Sequence, residues 1–111
     1  MNTTVIIQFD IEGFHNYPNA PQEVNFLSYE HRHTFTIKCG YKVNHDNRDK
    51  EIFLCRDMVI DYLQEGWGVP CAFGSMSCEM IAKEIMQFSK EDGMIWCEVW
   101  EEKTGGARVE L

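Results

Sequence analysis

His31-Arg32-His33-Thr34-Phe35-Thr36-Ile37-Lys38-Cys39-Gly40-Tyr41-Lys42-Val43 decides the fold. His33, Phe35, Ile37, Cys39, Tyr41 and Val43 share one parity, and Thr34, Thr36, Lys38, Gly40 and Lys42 share the other. That alternation is the period of a half-buried strand. It sets His31 and His33 on one face, two strand rises (~7 Å) apart. Two imidazoles so spaced can share one metal ion, and a third from another segment would leave one position open. Three protein ligands with an open fourth position is the pattern of a catalytic zinc site, whereas structural zinc sites are closed by four.

The third imidazole lies upstream. Thr3 to Ile11 reads as a first strand, with Val5, Ile7, Phe9 and Ile11 on one side, and continuing that parity brings His15 to the apolar face. Asn16 to Glu30, with Pro18 and Pro21, reads as a loop, and Asn44 to Lys50 as a polar turn that holds the remaining His45 in solvent. Glu51 to Leu54 is a short extended piece. Arg56 to Gln64 reads as a helix with Met58, Tyr62 and Leu63 inward, broken by Gly66 to Gly74. A second helix, capped by Ser75 or Ser77, carries Ile81, Ile85 and Phe88 at helical spacing to about Lys90. Asp92-Gly93 is a turn, Met94 to Glu102 a third strand, Lys103 to Gly106 hairpin chemistry, and Ala107 to Leu111 a short fourth strand. The order ββ-αα-ββ predicts an α+β domain, a four-stranded antiparallel sheet with two helices on one face.

Composition narrows the function. The chain of 111 residues is one domain, 1–111, and its 44% apolar content is that of a globular protein. No apolar run approaches the ~20 residues of a membrane span, and the N-terminus carries no basic-then-apolar signal pattern. A formal charge of −8 with scattered basic residues argues against nucleic acid or an anionic membrane as partner. Five cysteines, odd in number and without CxxC spacing, read as reduced, buried thiols of an intracellular, cytoplasmic protein.

Each chemical candidate has a plainer alternative. His33 as a core imidazole and His31 as a surface residue at the strand start compete with the metal site. Glu101 shares parity with Ile95, Cys97 and Val99, so its carboxylate points where apolar side chains point. It either lies wet beyond the core or meets a donor such as the amidine edge of a pterin or guanine, which offers two parallel N–H groups. Ser77-Cys78-Glu79 supplies free backbone N–H groups beside an acid, which helix capping alone also explains. Cys71, on a Gly/Pro loop, is either a nucleophile or an inert thiol, and Trp67, Trp96 and Trp100 read as packing or interface.

Taken together these features resemble the 6-pyruvoyl tetrahydropterin synthase and 6-carboxytetrahydropterin synthase family. That family has a His near the end of the first strand and a His-Gly-His opening the second. A Ser/Thr-x-Glu-Asn type motif starts its second helix, and a Val-x-x-Glu-like pattern falls late in its third strand. The counterparts are Ile11-Glu12-Gly13-Phe14-His15, His31-Arg32-His33, Ser77-Cys78-Glu79-Met80-Ile81-Ala82 and Val99-Trp100-Glu101, in the same order over nearly the whole chain. By that resemblance His15, His31 and His33 hold zinc, Glu101 anchors a pterin-type ring, and Ser77, Cys78 and Glu79 line the pocket. The implied architecture is the tunnelling fold, whose sheet joins its neighbours in a trimeric barrel, often stacked as a hexamer, with sites between subunits.

Three departures bear on activity. The family's Cys, four residues before the first paired His, is Leu27 here, and neither Glu30 nor Glu23 matches the variant that uses Glu there. The Leu-Asp-His relay between the helices is missing, since Gln64 to Gly74 contains neither His nor Asp, and the central Gly of His-x-His is Arg32. General acid–base groups contribute typically ~10²–10⁴ each, so losing both leaves metal polarisation and positioning without the usual proton carriers. The expectations are therefore a zinc-dependent lyase with substitute carriers (Glu79, Cys71, Tyr17, Tyr29) or a non-catalytic oligomer. The latter would sequester or sense a guanine- or pterin-derived molecule or nucleotide signal, and its compactness would suit a viral genome. A metal-free interaction module is the third.

Overall fold

The computed structural model describes residues 1–111. Its elements are β1 (Thr4–His15), β2 (His31–Lys42), α1 (Ile52–Trp67), β3 (Cys71–Gly74), α2 (Cys78–Ser89), β4 (Met94–Glu101) and β5 (Gly105–Glu110), and the fold is α+β. A turn of 3-10 helix, Gln22–Ser28, lies within the expected loop. The sheet has five strands in the order β3-β1-β2-β4-β5, which corrects the expected four-stranded antiparallel sheet. The addition is β3, parallel to β1 beside Gly13, Phe14 and His15. Its four residues alternate, with Cys71 and Phe73 buried and Ala72 and Gly74 exposed, so a segment read as a Gly/Pro loop closes one sheet edge.

The expected alternation orders the main strands. Ile7, Phe9 and Ile11 of β1 and Phe35, Ile37, Cys39 and Tyr41 of β2 are buried on the helix-covered face. β1 and β2 run antiparallel from Thr4 opposite Lys42 to His15 opposite His31. In β4 the register shifts at Gly40/Tyr41, so Met94, not Ile95, fills the core opposite Tyr41.

Helix α1 starts four residues before the expected Arg56. The Glu51 side chain accepts the Leu54 backbone N–H and caps it, so the supposed extended piece is its first turn. Its buried stripe is Cys55, Val59 and Leu63 at i, i+4 and i+8, and Met58 is exposed. Ser77 caps α2, accepting from the Met80 N–H, and Ile81, Ala82, Ile85 and Met86 face the sheet. Phe88 instead stacks on Tyr62 of α1, ring centroids 4.0 Å apart. Helix α1 packs against β1 and β3, and α2 against β4 and β5. All five cysteines are free and buried. No helix is long and apolar enough to cross a membrane.

Candidate metal centre

Antiparallel register assembles the site. His15 ends β1 directly opposite His31, which begins β2, and His33 follows on the same face. Phe35, the next inward residue of β2, lies opposite Glu101 at the end of β4. The group therefore forms at the open end of the core, where the rings of His15 and His33 stand edge-on to Phe35 with centroids 5.3 and 5.5 Å away. The Cys78–Ser89 helix delivers its N-terminus to the same end.

Hydrogen bonds orient the rings. His15 Nδ1 donates to the Met76 carbonyl at 2.8 Å, and His31 Nδ1 donates to the Tyr29 carbonyl at 2.9 Å. His33 Nδ1 faces Glu102 Oε1 at 3.3 Å. Carbonyl and carboxylate oxygens only accept, so the neutral ring carries its proton on Nδ1 and presents the Nε2 lone pair inward. This is the usual support of a metal-binding histidine. Burial, the larger influence, lowers the His15 pKa and favours the neutral, ligating form.

The inward nitrogens lack protein partners. His15 Nε2 and His33 Nε2 are buried and hydrogen-bonded to nothing, although Glu101 oxygens lie within 3.1 and 3.4 Å of them. One ligand atom each from His15, His31 and His33 fall within 4.8 Å of one another. Three converging imidazoles, two of them with an unpartnered buried nitrogen, could hold a metal ion.

Beside them a cavity of about 530 Å³ is lined by His15, His31, Ser77, Cys78, Glu79 and Glu101 among others, a volume suited to a small molecule. The structure thus brings together the two strand-end histidines, the helix start and the acid that sequence singled out. Glu101 is one-third exposed and accepts from the Cys78 thiol at 3.5 Å. Burial and the neighbouring Glu101 push the Cys78 thiol up to about 12, so its proton stays on sulfur.

Other candidates fall elsewhere. Cys71 begins β3 rather than lying on a loop, is fully buried, donates to the Leu63 carbonyl, and does not line the cavity. Tyr17 lines the cavity, whereas Tyr29 is 76% exposed and contributes its carbonyl to His31. His45 is exposed beside Asp49 at 3.4 Å. Leu27 does line the cavity. Glu102 was not foreseen. Strand parity turns it away from the site, but its backbone adopts φ 50°, and its carboxylate returns to accept from the Thr34 N–H at 2.8 Å and to face His33. A second acid at a strand end, just before Thr104-Gly105-Gly106, is the only signal the sequence carries for it. No protein-family model matches the chain, and no curated protein matches it.

Proposed function

We propose that the chain binds zinc through His15, His31 and His33, and beside it a flat pterin- or purine-type ligand whose amidine edge pairs with Glu101. It would thereby be a divergent relative of the 6-pyruvoyl and 6-carboxytetrahydropterin synthases, built on the tunnelling fold. The observation that carries this is the pair of buried, unpartnered Nε2 atoms of His15 and His33 converging with His31, two of the three histidines lining a cavity. Unsatisfied buried polar atoms are costly, and a metal ion satisfies both at once. Ser77, Cys78 and Glu79 line the same cavity and would contact the ligand.

Leu27 favours a binder over a lyase. It puts an apolar side chain on the cavity wall at the sequence position where the resemblance expects a proton-carrying thiol. What remains is a metal, an anchoring carboxylate and Glu79, a set that holds and orients a ligand. Self-association as a trimer or hexamer fits the open sheet edges. β5 pairs only with β4, and β3 covers only the Gly13–His15 end of β1.

Metal analysis of protein purified without chelator should give about one zinc per chain, lost in His31→Ala. Incubation with dihydroneopterin triphosphate should leave the compound intact, and mass spectrometry should find a pterin or guanine derivative retained. Protein that neither carries zinc nor takes it up when supplied would remove the proposed function, and turnover would restore the lyase.

A further inference from the structure

Glu101 turns toward two of the proposed ligands. Its Oε1 is 3.1 Å from His15 Nε2 and its Oε2 is 3.4 Å from His33 Nε2. In the neutral rings the proton sits on Nδ1, bonded to the Met76 carbonyl in His15 and facing Glu102 in His33, so each Nε2 offers a lone pair and two close acceptor–acceptor pairs result. The Cys78 thiol, donating to Oε1, is the one hydrogen-bond donor to this carboxylate.

The separations carry the interpretation. Two ligands each ~2.0–2.1 Å from one tetrahedral ion lie ~3.3 Å apart. The observed 3.1 and 3.4 Å match that spacing, beside three imidazole nitrogens that lie within 4.8 Å of one another. Carboxylate oxygen is an ordinary zinc ligand, and a single cation would turn both repulsive contacts into bonds.

We infer that Glu101 is itself the fourth metal ligand when no small molecule occupies the cavity, and that it releases the metal to take the amidine edge of an arriving heterocycle. The inference rests on the metal site proposed above and adds a switch to it. The resting centre is closed by four protein ligands, and the ligand opens it by competing for one carboxylate. The position vacated on the metal is then free for an oxygen of the ligand's side chain. The chemical class selected is a heterocycle with an amidine edge and an oxygenated substituent. A bare pterin ring would take Glu101 away from the metal without replacing it.

The test is zinc affinity by competition with a chromogenic chelator, together with the visible absorption of the cobalt(II)-loaded protein. Wild type is compared with Glu101→Gln, Glu101→Ala and His31→Ala, and the unfolding of each metal-free variant checks that it is folded. Loss of Glu101 should weaken zinc by at least roughly tenfold, the lower bound even for outer-sphere partners of a metal ligand. It should also alter the cobalt bands, and the isosteric Glu101→Gln guards against a packing defect in Glu101→Ala. Adding pterin to the cobalt-loaded wild type should shift the bands in the same direction as the substitution. Unchanged zinc affinity and an unchanged cobalt spectrum in folded Glu101→Gln would overturn the inference and leave the three-histidine site standing. A wild type that takes neither metal would overturn both.

Discussion

His33 shows how much of the proposed metal centre is set by residues outside the three-histidine group. Its Nδ1 faces Glu102, whose carboxylate is pinned in turn by the Thr34 backbone N–H. Glu102 holds this position with φ 50°, in the left-handed region that non-glycine residues occupy at a cost of roughly 1–3 kcal/mol. Glu102 and Lys103, both at positive φ, are the central pair of the turn that joins β4 to β5, closed by the Thr104 N–H on the Glu101 carbonyl. That turn brings the Glu102 carboxylate back to a proposed ligand. Glu102→Ala should free the His33 ring to rotate and weaken zinc binding by roughly 10–100-fold, as removal of an outer carboxylate generally does. Chelator competition measures it directly. Undiminished affinity would mean that packing against Phe35 alone orients the ring.

Among the elements, the β4–β5 hairpin is the most exacting. A Cβ on Gly106 would collide with the Val99 carbonyl oxygen and the Trp100 Cα, both backbone, whereas at Gly40 it would strike only the Trp96 indole. Backbone cannot step aside as a side chain can. Gly106→Ala should therefore cost roughly 1–3 kcal/mol in denaturant unfolding, and more than Gly40→Ala, where the indole can tilt. Equal losses would show that Trp96 is as fixed as the main chain. The long strands were legible because two-residue alternation fixes which side a residue faces, and this put His15, His31, His33 and Glu101 on one surface in advance. Beyond that, alternation fell short. The four residues of β3 are too few to show it, and an apolar Ile52-Phe53-Leu54 run reads as strand or helix until the Glu51 cap decides. The Met94 reversal depends on a bulge in the pairing with β2, a tertiary event. Glu102 needed a backbone angle that no residue pattern encodes.

For the molecule as a whole, the five free thiols report on the integrity of the core. Burial raises the Cys71 thiol to about 11 and the Cys78 thiol to about 12, against an ordinary 9.0, so neither is ionised at pH 8. A thiol-reactive disulfide reagent at that pH should meet almost no fast-reacting group in the native protein and all five cysteines after denaturation. A rapid native phase would mean that the core opens locally. The same shifts make stability fall as pH climbs past 9.0, because the unfolded chain then releases thiol protons that the folded chain retains. The edge strand β5 carries a different implication. Its first residues, Gly105 and Gly106, form part of the cavity wall and have no side chains to screen it. A strand annealed along that rim would border the bound molecule across a single layer of main chain. Where assembly changes the grip on cargo, reciprocity requires cargo to change the grip between copies by the same factor.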